Sequence, residues 1–261
     1  GYGNNKGIVP ISCEEIFTRI DAKKDDKKVK FEVTLSMLEI YNEQVQDLLA
    51  PPRSRPKGGL KVRESQKFGV FVEDLSKHPV QSYKEIEKKL EEGTNNRTIG
   101  ATQMNATSSR AHTVLSLLFK QVFFDENGQP LNQKLSTINL VDLAGSERAA
   151  STGASGDRLK EGANINKSLS TLGKVITALA EKSSGTAKKG SVIPYRESKL
   201  TRILSTALGG NSKTTMIAAL SPSYANYDET LSTLRYADRV KAIKNEAVVN
   251  ETPQEKLIRE L

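Results

Sequence analysis

The feature that most constrains this chain is a pair of long apolar segments on either side of Asn127-Gly128. Val114 to Phe124 carries a strand pattern, Asn127-Gly128 supplies a hairpin turn, and Leu135 to Leu143 returns as a second strand. An antiparallel pair brings the residues before its first strand near those after its second. Asn105-Ala106-Thr107-Ser108-Ser109-Arg110-Ala111-His112 and Val141-Asp142-Leu143-Ala144-Gly145-Ser146-Glu147 are therefore expected on one rim of a sheet.

Other elements fall around that hairpin. Phe31, Val33, Leu35 and Met37 alternate with polar residues and predict a strand. Pro51 to Gly59 reads as an exposed loop. Ser82 and Glu85 have capping-box spacing and open a helix with Ile86 and Leu90 on its apolar stripe, which Gly93 is expected to end. Leu169, Leu172, Ile176 and Leu179 mark the buried face of a helix over Asn166 to Glu181. Met216 to Leu220 suits a central strand buried on both sides, and Asp228 and Glu229 open a last helix with Leu231 and Leu234 facing inward. Helices and strands intermix without repeats, which indicates one layered α/β domain.

Composition removes several classes of function. At 261 residues and 36% hydrophobic content the chain needs no staples to fold, and a single cysteine, Cys13, cannot form an internal disulfide. No apolar run approaches the roughly 20 residues that span a bilayer, and no signal peptide opens the chain. A soluble, cytosolic protein is expected. The net charge of +8, from 39 basic and 31 acidic residues, makes an acidic partner plausible without naming it.

The rim residues carry phosphate chemistry. A carboxylate at a strand's C-terminal end, Asp142, can hold a Mg²⁺ shell, and Gly145 lets a backbone N–H approach a terminal phosphate. Ser108 and Ser109 offer hydroxyls to a metal and a water, and Arg110 can pair with Glu147. Taken alone, an Asp-x-x-Gly is ordinary turn chemistry and a hydroxyl-rich segment is a polar loop.

Together these two segments resemble switch I and switch II of the kinesin motor domain. Supporting stretches run along the whole chain in order: Glu39-Ile40-Tyr41-Asn42-Glu43, Asn164-Ile165-Asn166-Lys167-Ser168-Leu169, Pro194-Tyr195-Arg196-Glu197-Ser198-Lys199-Leu200-Thr201, Leu208-Gly209-Gly210-Asn211 and Leu234-Arg235-Tyr236-Ala237. Glu73-Asp74-Leu75-Ser76-Lys77 and the closing Lys256 to Leu261 look most like the kinesin-three subfamily. The resemblance implies a three-layer P-loop NTPase-type fold, a central mixed sheet with helices on both faces. It implies ATP and Mg²⁺ as cofactors. Gly145 would sense the γ-phosphate, Asn105 and Ser108 would approach it and the attacking water, and Ser109 and, through water, Asp142 would hold Mg²⁺. Arg110 and Glu147 would form the ion pair that closes the switches around the nucleotide.

The chain departs from the family in two ways. Ala111 stands where the family has Ser, which implies modulation of switch I, and His112 keeps the family pattern with a structural or a catalytic role open. No Gly-x-x-x-x-Gly-Lys-Ser/Thr loop occurs; Gly209 to Thr214 lacks the Gly before Lys213. The expectation is a C-terminal part of a motor domain, with the phosphate loop and first strands upstream.

The resemblance also gives the positive charge a place. Lys182, Lys188, Lys189, Arg196, Lys199 and Arg202 fall in the segment matching the family's microtubule-binding face, flanked by Lys160 and Lys167, with Arg63 and Lys67 as a second patch. The partner implied is the acidic surface of tubulin, placing the protein in the cytoplasm on the microtubule cytoskeleton. Residues 1–241 would be motor, 242–251 a neck linker with Ile243, Val248, Val249 and the latch Asn250, and 252–261 the start of a neck helix that could lead to a dimer beyond residue 261. A C-terminal neck implies plus-end-directed movement. Competing readings are weaker. A GTPase would need Asn-Lys-x-Asp, a nucleic-acid binder would show a recognition motif, and membrane insertion has no segment to perform it. A kinesin-like protein that binds microtubules without hydrolysing ATP is the serious alternative.

Overall fold

The computed structural model describes residues 6–66, 69–104, 110–145 and 157–250, with backbone alone for 98–104 and 157–166. Its centre is a five-stranded sheet. Strand β1 (Val29–Tyr41) lies between β6 (His112–Phe124) and the short strands β2 (Gln44–Asp47) and β5 (His78–Val80), and β6 pairs on its far side with β7 (Pro130–Asp142). The pairings described are antiparallel. A separate ribbon joins β3 (Val62–Ser65) to β4 (Gly69–Val72).

The period-2 pattern in β1 sorts its side chains onto two faces. Val33, Leu35 and Met37, with Leu115 and Leu117 of β6, pack under α1 (Ile8–Asp21) and α2 (Tyr83–Met104) through Cys13, Phe17, Ile86 and Leu90. Leu38, Ile40 and Val114 face the other way, against Leu172 and Ile176 of α3 (Asp157–Ser184) and Leu200 of α4 (Lys199–Ile203). Helices therefore cover both faces of the sheet, as expected. Ser82 caps the helix as expected, the Glu85 N–H donating to Ser82 Oγ at 3.2 Å, while the Glu85 carboxylate accepts from the Gln81 N–H, one residue before the cap, at 2.8 Å.

Three local expectations fail for physical reasons. Gly93 does not end its helix: α2 continues to Met104, and a Cβ at position 93 would sit 2.5 Å from Met37 Sδ. The glycine is there because helix and strand touch. Met216 to Leu220 runs without strand pairing, and Ile217 is 67% exposed, because among the described residues no strand lies beside it to take its backbone bonds. In α5 (Tyr227–Lys241) Leu234 points to solvent, while Tyr236 and Val240 pack inward. The turn between β1 and β2 places both Asn42 (φ 50°) and Glu43 (φ 57°) in the left-handed region, the geometry a two-residue hairpin requires. No helix among the described residues is long and apolar enough to cross a membrane.

Candidate functional site

The β6–β7 register builds the rim. Thr113 stands opposite Asp142, so the chain entering β6 at Arg110 and leaving β7 toward Gly145 emerges from the same sheet edge. Arg110 and Gly145 are half-buried there, and Asp142 is exposed. Asn105, Ser108, Ser109 and Glu147 lie outside the described residues, and so does the expected Arg110–Glu147 pair. Thr113 and Asp142 share a face as cross-strand partners, and the Thr113 hydroxyl is buried with no hydrogen-bond partner among the described residues. Hard oxygen donors at this edge suit Mg²⁺ rather than a softer ion. No group of three or more His, Cys, Asp or Glu side chains that could hold a metal occurs among the described residues.

His112, the first residue of β6, is 2% exposed and satisfied at both ring nitrogens. The Ala144 N–H lies 2.9 Å from Nδ1, and Nε2 lies 2.7 Å from Ser168 Oγ in α3. Since Nδ1 accepts, the proton of the neutral ring sits on Nε2 and is donated to the serine. Burial lowers the imidazole pKa from 6.5 to about 4, so this ring is neutral at physiological pH. Of the two roles left open for His112, the structure supports the positioning one.

The basic residues divide by their partners. Arg63 in β3 pairs with Glu73 at 3.2 Å, and Arg196 pairs with Glu64 at 2.9 Å, which fastens the β3–β4 ribbon to the turn before α4. Lys182, Lys188 and Lys189 are exposed at the C-terminal end of α3 and in the loop beyond it, and Lys167 is exposed on the same helix. Lys199 opens α4 with its backbone N–H donated to Glu43 Oε2 at 2.9 Å, across the left-handed β1–β2 turn. Arg202 is half-buried in α4, with a buried Nε. Helix α4 contacts α3, the turn at 195–197 and the ribbon, so Arg63, Arg196, Lys199 and Arg202 belong to one region. The side chain of Lys160 and the whole of Lys67 lie outside the described residues.

Past α5, Ile243 packs on the cluster formed by Leu172, Ile176, Leu200 and Leu204. Residues 244–250 carry no strand, and three asparagines hold them. Asn245 accepts from the Gly209 N–H at 2.8 Å and donates to the Ala207 and Ser212 carbonyls at 2.9 and 3.0 Å. Asn211 accepts from the Val248 N–H at 2.7 Å and donates to Asn250, whose amide donates to the Leu135 carbonyl of β7 at 3.0 Å. Val248 and Val249 stay exposed. The Tyr195 hydroxyl donates to the Leu208 carbonyl, so the Leu208–Gly209 peptide is held from both ends. Gly209 is required at this turn: its φ is +78°, and a Cβ there would sit 2.6 Å from Leu179 Cδ2. Sequence reasoning missed Ser168, Tyr195, Asn211 and Asn245; the asparagines read as ordinary turn residues, and their partners are distant in sequence.

Comparison with known proteins gives the constellation its family. The family model described as the kinesin motor domain matches residues 1–243. The chain is 57% identical over its whole length to "Kinesin-related protein 1" of Dictyostelium discoideum and 54% identical over 99% of its length to "Kinesin-like protein KIF1A" of Rattus norvegicus. It spans only 12% and 15% of those two proteins. Among solved structures, a KIF14 dimer in its two-heads-bound state, with AMP-PNP and in complex with a microtubule, is 47% identical with a TM-score of 0.86, covering all of this chain and 71% of that one. The three-layer fold with a central mixed sheet follows from that likeness. The chain belongs to the kinesin motor domain family, and it is most like the kinesin-three members.

Proposed function

We propose that this chain works as part of a microtubule motor that converts ATP hydrolysis into plus-end-directed movement, in the cytoplasm on microtubules. The observation that carries this reading is the β6–β7 register, which brings the start of β6 and the Asp142–Gly145 loop to one rim in a kinesin-family chain. A KIF14 relative bound to AMP-PNP and a microtubule supports it.

The backbone N–H of Gly145 senses the γ-phosphate, and Asn105 and Ser108 orient the attacking water. Ser109 and, through water, Asp142 would hold Mg²⁺, which when bound would supply positive charge against the phosphoryl group. Arg110 and Glu147 close the two loops on each other and exclude bulk water. Catalysis is positioning and charge stabilisation, with no covalent step on the protein.

Lys167, Lys182, Lys188, Lys189, Lys199 and Arg202, with Arg63, Lys67, Lys160 and Arg196, face the acidic surface of tubulin. Arg63 and Arg196 contribute less, since Glu73 and Glu64 already balance them. Residues 242–251 act as the neck linker. Ile243 anchors it on the α3–α4 cluster, and the amides of Asn245, Asn211 and Asn250 fasten it as far as β7. A neck helix from 252 onward and a dimer built on it complete the proposal.

The test is ATP turnover of the intact protein with and without microtubules, together with gliding of polarity-marked microtubules. Microtubule-stimulated turnover and gliding with the minus end leading are expected. Microtubule binding without turnover would replace this reading with a non-hydrolysing one.

A further inference from the structure

We propose that His112 is a positioning residue that couples the nucleotide loop to helix α3, through one imidazole bonded to the Ala144 amide and to the Ser168 hydroxyl. The inference rests on the reading of Gly145 as the γ-phosphate sensor and of α3 as part of the track-binding face.

Ala144 immediately precedes Gly145, so the N–H that His112 holds at 2.9 Å lies one residue from the proposed phosphate sensor and fixes the chain from which Gly145 extends. Ser168 immediately follows Lys167, which is exposed on α3, so the far end of the same ring is fixed beside a track-facing residue. Ala144, His112 and Ser168 are 5%, 2% and 3% exposed, so no solvent route substitutes for a broken bond. The rigid ring transmits a displacement at one nitrogen to the other. Its buried neutral form fixes the donor and acceptor ends, and a charged ring would present a second donor to the Ala144 N–H. A merely structural histidine could satisfy its nitrogens anywhere; this one spans 32 residues to one element and 56 to another, linking β6, the end of β7 and α3.

The experiment uses the intact protein and reads microtubule affinity in ADP against AMP-PNP by cosedimentation. Ser168→Ala removes the acceptor and is expected to shrink the ratio of the two affinities by at least about fivefold, with turnover in the absence of microtubules within about twofold of the parent. Ser168→Thr, which keeps the hydroxyl, is expected to retain the ratio. An unchanged ratio in Ser168→Ala, with thermal stability preserved, overturns the coupling. Should Ser168→Ala fold poorly, ¹⁵N shifts of the imidazole in the unaltered protein decide the matter. A neutral ring protonated on Nε2 whose shifts change between ADP and AMP-PNP supports the proposal, and shifts identical in both overturn it. Absence of ATP turnover in the unaltered protein would instead count against the motor reading itself.

Discussion

The two faces of the central sheet are held in different ways. Under α1 and α2 the contacts are mainly apolar: Cys13, Phe17, Leu35, Met37, Ile86 and Leu117 interlock, Gly93 lets the helix settle onto Met37, and polar contacts lie toward the end of α2, where Arg97 pairs with Glu39 at 3.3 Å and the Asn96 amide donates to the Leu48 carbonyl at 2.8 Å. Under α3 and α4 a smaller buried apolar cluster is supplemented by directed bonds, with His112–Ser168, Glu43–Lys199 and Tyr195–Leu208 pinning successive elements and Ser198 capping α4. Apolar burial is non-directional and close-packed, so the first face resists any rearrangement. A hydrogen bond contributes only about 0.5–1.5 kcal/mol net and can be exchanged for another. The second face is thus suited to discrete alternative arrangements, and the proposed track and neck contacts are on that side.

The difference can be broken most severely from the first face. Leu35→Ala should destabilise the fold by about 2–5 kcal/mol, because a fully buried side chain leaves a cavity that an interlocked face cannot collapse. Hydrogen exchange read at β1 and α1 amides of the intact protein checks this; a loss below about 1 kcal/mol would mean that the face is looser than described.

Acid should act on the second face first. The His112 pKa falls from 6.5 to about 4 on folding, so between these values the unfolded chain binds the extra proton. The stability concerned is fully present above pH 6.5 and is lost as pH falls toward 4, reaching on the order of 3 kcal/mol at 1.36 kcal/mol per unit. Exchange protection in β6 and α3 should decline through that window, and a pH-independent profile would contradict the buried neutral ring.

Tyr195→Phe deletes one hydroxyl bond and should cost about 0.5–1.5 kcal/mol. Its clearer readout is gliding, which should slow while microtubule-stimulated turnover is preserved; equal loss of both would mean that the tyrosine serves binding instead. The smallest effect on stability belongs to the exposed charges. Replacing Lys182, Lys188 and Lys189 by Ala should change stability by less than about 0.5 kcal/mol yet weaken low-salt microtubule affinity. The contrast with the parent should fade as screening shortens to about 10 Å at 0.1 M salt. Unaltered cosedimentation at low salt would remove these lysines from the interface.

What was legible in the sequence follows this division. The alternation through Val33, Leu35 and Met37 and the Asn127-Gly128 hairpin were readable because a period of two and a turn dipeptide are local signals. Gly93 was misread because a glycine that ends a helix and one that admits a neighbour look alike until the neighbour, Met37, is in place. Met216 to Leu220 was read as buried from its apolar run alone, yet burial depends on partners that the run does not specify. Asp142 and Gly145 are singled out by motif, and the approach of their segment to the start of β6 follows from hairpin geometry. Ser168 and the three asparagines are not, since their bonds join residues from 31 to 115 positions apart, except that Asn250 is marked by resemblance.

The doubly held peptide between Leu208 and Gly209 has a logical consequence. A peptide unit is planar, and its C=O and N–H point in opposite directions, so it cannot rotate to keep one partner while releasing the other. Tyr195 and Asn245 are therefore inputs to a single conjunction: the hydroxyl favours the peptide orientation that receives the asparagine, and the asparagine favours the one that receives the hydroxyl. A peptide flip would release both at once, leaving the segment after α5 tied at this point by the Asn245 amide alone, through the Ala207 and Ser212 carbonyls.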